Sequence, residues 1–157
     1  MENQTKYFKG IIPPPIVFFA FLLIGFAAHW IMPLEFIFHE QYVRFAVGIP
    51  ISIVSGFIAL NAFVIMKKNK TAINFNSQTT KIITKGSFLF TRNPLYLALL
   101  LLLGSIAILA NSIWFLVLVI PLFIIFNFSV VPREERYLQE RFGEEYIRYK
   151  NKVRRWI

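Results

Sequence analysis

Hydrophobic and polar positions segregate into long blocks along this chain. Ile16 to Met32 is apolar and uncharged, bounded by Pro13-Pro14-Pro15 on one side and Pro33 on the other. Proline is tolerated at helix edges, where its missing N–H is no loss, so this run predicts a helix with defined ends. Phe45 to Met66 is a second uncharged run. It contains Pro50, where a kink is expected, and Gly48 and Gly56, small residues that let neighbouring helices approach. Leu95 to Ala110 and Ile113 to Val131 follow, with Pro121 inside the latter and Ala110-Asn111-Ser112 as a tight turn between them. Long uncharged apolar runs read as transmembrane helices. The pattern predicts an all-α integral membrane protein with four transmembrane helices, the last two forming a helical hairpin.

Pro132 to Ile157 is a charged tail in which Leu138, Phe142, Tyr146, Tyr149, Val153 and Trp156 recur at steps of three and four. That spacing lines one face of an amphipathic cytosolic helix, which Gly143 breaks or bends. Such a helix lies on the membrane surface or covers the ends of the spans. After Gly143 a plain surface anchor is an equally good reading.

Composition supports the membrane assignment. Of 157 residues 57% are hydrophobic and 16% charged, with mean hydropathy +0.59, whereas a soluble domain carries about 25% charged residues. The first apolar run is read as an uncleaved anchor rather than a signal peptide. Lys6 and Lys9 are followed by the triple proline, and no small-residue cleavage site follows Trp30. The whole chain reads as one membrane domain, with two N-terminal spans in 1–66 and a loop, hairpin and tail in 67–157. Cysteine is absent, which excludes disulfides and thiolate chemistry.

The net charge of +9 changes the picture only through its distribution. Lys and Arg number two in the N-terminal arm, one in residues 33–44, six in Lys67 to Asn93, none in the hairpin turn and eight in the tail. Four spans with both termini cytoplasmic satisfy the positive-inside rule throughout, so a nucleic-acid partner is not expected. The expected location is a bacterial inner membrane.

Polar groups at membrane depth face protein or cavity rather than lipid. Asn61, Asn127 and Tyr96 come from three different spans and fall at one depth near the cytosolic boundary, where they could line a shared vestibule or simply bond neighbouring helices. His29 and His39 lie near the outer side, with no carboxylate or cysteine cluster to complete a metal site, so no metal is expected. Nucleophilic catalysis by a Ser-His-carboxylate set is likewise unsupported.

The segments Thr80-Lys81-Ile82-Ile83-Thr84-Lys85-Gly86 and Thr91-Arg92-Asn93-Pro94-Leu95-Tyr96-Leu97, then Arg133-Glu134-Glu135-Arg136-Tyr137-Leu138 and Arg141-Phe142-Gly143-Glu144-Glu145-Tyr146, occur in that order. Together they resemble the signature of the isoprenylcysteine carboxyl methyltransferase and phospholipid methyltransferase superfamily, over roughly residues 67 to 157. The resemblance implies membrane-embedded methyl transfer from S-adenosylmethionine to a lipophilic acceptor. It implies a cofactor pocket lined by Thr80, Lys81, Ile82, Ile83, Phe88, Asn93, Pro94, Leu95, Tyr96 and Glu134. The chain departs from the family in three places. Asn93 stands where histidine is common, Ala98 where glycine is common, and Val130 where isoprenylcysteine enzymes carry a substrate-binding arginine.

The residue chemistry suits those roles. Glu134 can take the cofactor's ammonium by a charged hydrogen bond, Asn93 its carboxylate or ribose, and Phe88 and Tyr96 its adenine or sulfonium. Pro94 opens a helix whose free N–H groups favour an anion. A carboxylate acceptor would need a cation, Arg92 or Arg133, to orient it. An amine or hydroxyl acceptor would need a base, with Glu135 or Tyr137 nearest. Against these stand blander readings: Arg92, Arg133 and Arg136 contacting lipid headgroups, and the paired glutamates forming a helix-surface cluster. Alternative functions are an NADPH-dependent membrane reductase of the sterol-reductase type, its dinucleotide phosphates met by the basic loop Lys67 to Arg92, and a non-catalytic membrane scaffold.

Overall fold

The computed structural model describes residues 12–35, 40–69 and 79–157. Lys6, Lys9, His39 and Lys70 lie outside the described residues. Among the described residues six α-helices follow in chain order: α1 Pro14–Ile31, α2 Gln41–Lys68, α3 Pro94–Leu109, α4 Ile113–Ile125, α5 Val131–Phe142 and α6 Glu144–Lys152. A 3-10 turn, Gly86–Leu89, precedes α3, and a π-turn, Phe126–Val130, joins α4 to α5 without a break. Helix boundaries thus fall within a few residues of the apolar runs, and Pro13 and Asn93 sit one residue before the proline-led starts of α1 and α3.

Among the described residues three helices are long and apolar enough to cross a membrane: α1, α2 and the continuous rod Ile113–Phe142. The third apolar run is shorter. α3 has 16 residues, about 24 Å at 1.5 Å per residue, against a hydrocarbon core about 30 Å thick. Large apolar side chains point outward from α1 and α2, as at Leu23, Phe57 and Leu60. In water such a surface would be costly; in a bilayer it is the solvated face.

Small residues and shared hydroxyls hold the helices together. Ser55 donates to the Ala98 carbonyl (2.7 Å) and Ser52 to the Ser105 hydroxyl (2.9 Å), tying α2 to α3. Gly48 lies under Leu109 and Gly25 under Phe115, which docks α1 on α4 with Phe26 edge-on to the same ring at 5.0 Å. Gly56 behaves differently from expectation: no atom lies near where its Cβ would be, so it opens a space rather than closing a contact. Leu103, Phe115, Leu122 and Phe126 form the fully buried centre between α3 and α4.

The two ends of this bundle differ in chemistry. At one end Asn111 adopts a positive φ of 49°, which asparagine tolerates better than most residues. Trp114 donates to the Met32 carbonyl (2.7 Å) beside it, and Glu35 bridges to Ser112. At the other end the start of α3 meets the end of α4, with Tyr96 and Phe126 rings 5.0 Å apart. α5 and α6 lie there, separated at Gly143, whose φ of 52° explains why the tail helix breaks where it does.

Candidate functional site

The segment before α3 is fixed from two sides. On the α2 side the Asn61 side-chain carbonyl accepts the Ser87 N–H at 2.8 Å. Gly86 makes this possible, having a positive φ of 60° and lying where a Cβ would overlap Asn61 and Ile65. On the tail side the Arg92 N–H donates to the Arg154 carbonyl (3.0 Å), and Thr91 and Asn93 both donate side-chain hydrogen bonds to the Arg155 carbonyl (2.9 Å each). Tyr149 on α6 donates to the Phe88 carbonyl at 2.8 Å.

A cavity of about 550 Å³ lies inside this frame. Its polar wall carries Arg92, Asn93, Pro94, Leu95 and Tyr96 from the start of α3 with Glu134 and Glu135 from α5. Lys81, Ile82, Ile83 and Phe88 close one side, and Tyr146 and Tyr149 reach in from α6. An apolar arm runs between α2 and α3 past Gly56, Ala59, Phe63, Leu99 and Leu102.

Eleven of the thirteen residues singled out from the sequence therefore line one cavity, and Thr80 and Arg133 do not. Arg133 is exposed because one residue of helix turns the side chain by about 100° from Glu134. Thr80 is also exposed and lies 3.5 Å from the Asn69 carbonyl, while Thr79 and Lys81 on either side line the cavity. Of the three polar groups expected at one depth, Tyr96 alone lines the cavity. Asn61 is spent on Ser87, and Asn127 accepts from Arg155 (3.3 Å) and Trp156 (3.0 Å). The sequence placed Tyr146 and Tyr149 on the amphipathic face and in the family-like segments without a site role, and it gave Arg155 none.

The adjacent glutamates have opposite electrostatic settings. Glu135 is 6% exposed and takes two guanidinium groups. Arg155 forks onto both its oxygens (3.1 and 2.7 Å), and Arg92 reaches Oε1 at 3.1 Å. With its lone pairs so engaged, Glu135 is poorly placed to act as the general base considered above. Glu134 receives one hydrogen bond, from the Tyr96 hydroxyl at 2.9 Å, and no cation among the described residues pairs with it. Arg92 is the mirror case. Its side chain is 9% exposed, yet Nε and Nη1 have no hydrogen-bond acceptor among the described residues.

The tyrosines of α6 stay protonated. Burial, with the Glu135 charge added to it, pushes the Tyr146 hydroxyl well above the usual tyrosine range, although Arg92 works in the other direction. Burial pushes Tyr149 up to about 12, again opposed by Arg92. Both hydroxyls are donors at neutral pH, and neither is a base.

A sequence model of the phospholipid methyltransferase family matches residues 43–145, and the chain belongs to that family. It is a membrane protein of a methyltransferase family whose members generally use S-adenosylmethionine. An uncharacterized protein of Haemophilus influenzae is 47% identical over 64 residues, which make up 40% of this chain and all of that protein. No solved structure matches the chain.

Proposed function

We propose that this protein transfers a methyl group from S-adenosylmethionine to a lipophilic acceptor, with both bound in the cavity between α2, α3 and α5. One observation carries the reading. The cavity presents a buried carboxyl with no cation beside it among the described residues, Glu134, and a buried guanidinium, Arg92, whose Nε and Nη1 meet no acceptor among them. Buried charges left in that state are costly unless a ligand completes them. A zwitterionic amino-acid end does so, its ammonium on Glu134 and its carboxylate on Arg92.

When bound, S-adenosylmethionine supplies a methyl group activated by the sulfonium. Ile82, Ile83 and Phe88 offer apolar and aromatic surface to the adenine, and Tyr96 an aromatic face beside Glu134. Asn93 is held by the Arg155 carbonyl, which fixes its amide against the cavity. The apolar arm along α2 and α3 suits a hydrocarbon chain. As the acceptor bonds the methyl carbon, the S–CH3 bond breaks to leave S-adenosylhomocysteine. The sulfonium charge is dispersed, cancelled by a carboxylate or passed to the nitrogen of an amine, so a site with little water and a fixed approach favours the transfer. With Glu135 ion-paired and both tyrosines protonated, the acceptor brings its own lone pair: a lipid carboxylate or a neutral amine of a phospholipid or small hydrophobic molecule. Arg133, outside the cavity, takes no part.

In this reading residues 1–157 form one membrane domain crossing the inner membrane of a bacterium four times. The shorter α3 pairs with α4, and the charged end of the bundle faces the cytoplasm along with both termini. Calorimetry on detergent-purified protein tests the donor. S-adenosylhomocysteine should bind with micromolar affinity and NADPH should not. Binding of NADPH alone would replace this reading with the reductase one.

A further inference from the structure

Arg155 lies outside the cavity lining, on the segment that follows α6, yet more of the site's hydrogen bonds pass through it than through any lining residue. Its guanidinium takes both oxygens of Glu135 and a third acceptor, Asn127. Its carbonyl takes the side chains on either side of Arg92, those of Thr91 and Asn93. The neighbouring residues extend the grip. The Arg154 carbonyl holds the Arg92 N–H, and Trp156 donates to Asn127 while packing on Phe123 with ring centroids 5.2 Å apart.

This arrangement bears on Arg92. A guanidinium beside a carboxylate prefers two parallel hydrogen bonds, one to each oxygen. Arg92 makes a single short contact, to Oε1, because the fork on Glu135 already belongs to Arg155. Its guanidinium stays at the cavity wall, with Nε and Nη1 bonded to no acceptor among the described residues. Without Arg155, Arg92 would close onto both oxygens of Glu135 and turn those groups away. The π-turn Phe126–Val130 completes the device. A π-turn carries one residue more per turn than an α-helix, and Asn127, within it, meets the tail while Glu134 and Glu135, beyond it, meet the cavity.

We propose that Arg155 is a positioning residue, which by occupying both oxygens of Glu135 keeps the Arg92 guanidinium aimed into the cavity, and that Val153–Ile157 is the latch that holds it there. The proposal rests on reading the cavity as the site of a zwitterionic nucleoside donor.

The test is a double-mutant cycle on S-adenosylhomocysteine affinity, measured by calorimetry on full-length protein in detergent, with thermal melts to follow folding. Arg155→Gln and Arg92→Gln should each weaken binding about tenfold, and the double variant should bind no more weakly than Arg92→Gln alone, a coupling within the range seen for contacting residues. A residue that merely stabilises the fold would lower the melting temperature, and its effect on affinity would multiply with that of Arg92→Gln. Multiplying losses, or unchanged affinity in Arg155→Gln, would overturn the proposal. Should Arg155→Gln fail to fold, Arg155→Lys decides. It keeps a cation on Glu135 but cannot fork onto both oxygens, so affinity should fall about threefold in the native background and not at all in Arg92→Gln; unchanged native-background affinity sinks the idea. If the unaltered protein binds no S-adenosylhomocysteine, the donor reading itself falls, a result distinct from multiplying losses in a protein that does bind.

Discussion

The two halves of the cavity are built on opposite principles. Around Arg92, Glu134 and Glu135 polar side chains are tied to other elements: Tyr96 to Glu134, Thr91 and Asn93 to the Arg155 carbonyl, Tyr149 to the Phe88 carbonyl. Along α2 the polar groups are turned away instead. Ser52 and Ser55 spend their hydroxyls on α3, and Gly56 contributes empty space. A charged ligand end needs donors and acceptors held at fixed positions, because misplaced buried charges repay none of their desolvation. A hydrocarbon chain needs only room without unsatisfied polar atoms. The halves should therefore fail differently when altered.

The largest effect is expected on the charged side. Glu134→Gln keeps the shape and the Tyr96 contact but removes the uncompensated charge. A hydrogen bond to a charged group is worth about 1.5–3 kcal/mol, so S-adenosylhomocysteine should bind roughly 10- to 100-fold more weakly. Unchanged affinity would break the comparison at its strongest point. On the apolar side Gly56→Leu fills the arm. Excluding about two methylenes of a chain, at ~0.8 kcal/mol each, should lower kcat/KM for long-chain acceptors about tenfold while donor affinity stays within about twofold. A loss of donor affinity equal to that of Glu134→Gln would show that the halves are one site without division.

The smallest effect concerns pH. The Tyr149 hydroxyl moves from 10.0 when free to about 12 in the fold, and burial moves Tyr146 the same way. The folded state thus resists ionising them, so their stabilising contribution is whole below pH 10 and disappears as pH rises through about 12. Thermal melts should hold level from neutral pH to about 10 and then fall. Tyr149→Phe should flatten that fall, and an unchanged profile would place its titration elsewhere.

Much of this was legible in the chain. Uncharged runs marked the helices because lipid admits few alternatives to a closed backbone ladder. The Arg92–Tyr96 and Arg133–Leu138 segments marked the cavity because their side chains do the lining, Arg133 excepted. What stayed hidden acts through other means. Arg154 and Arg155 contribute main-chain carbonyls, which leave no trace in residue type, and the Arg155 guanidinium was one of eight cations in a charged tail. Gly56 looked like Gly48, since a missing side chain reads the same whether a helix or a void lies opposite. Asn61 and Asn127 read equally as vestibule groups or as ties to a neighbour, because an amide's partner depends on the fold around it. The π-turn changes the register of α5 in a way that apolar periodicity does not mark.

From Ile113 to Phe142 the chain is a single rod, apolar over its first part and bearing both glutamates near its far end. A rod of this kind is a lever. A long spanning helix answers a change in bilayer thickness by tilting as far as its packing allows, so a rocking of the apolar part would reach the carboxylates as displacement beside Tyr96 and Arg92. The lipid around this protein is thus a mechanical neighbour of its cavity as well as a solvent for its spans.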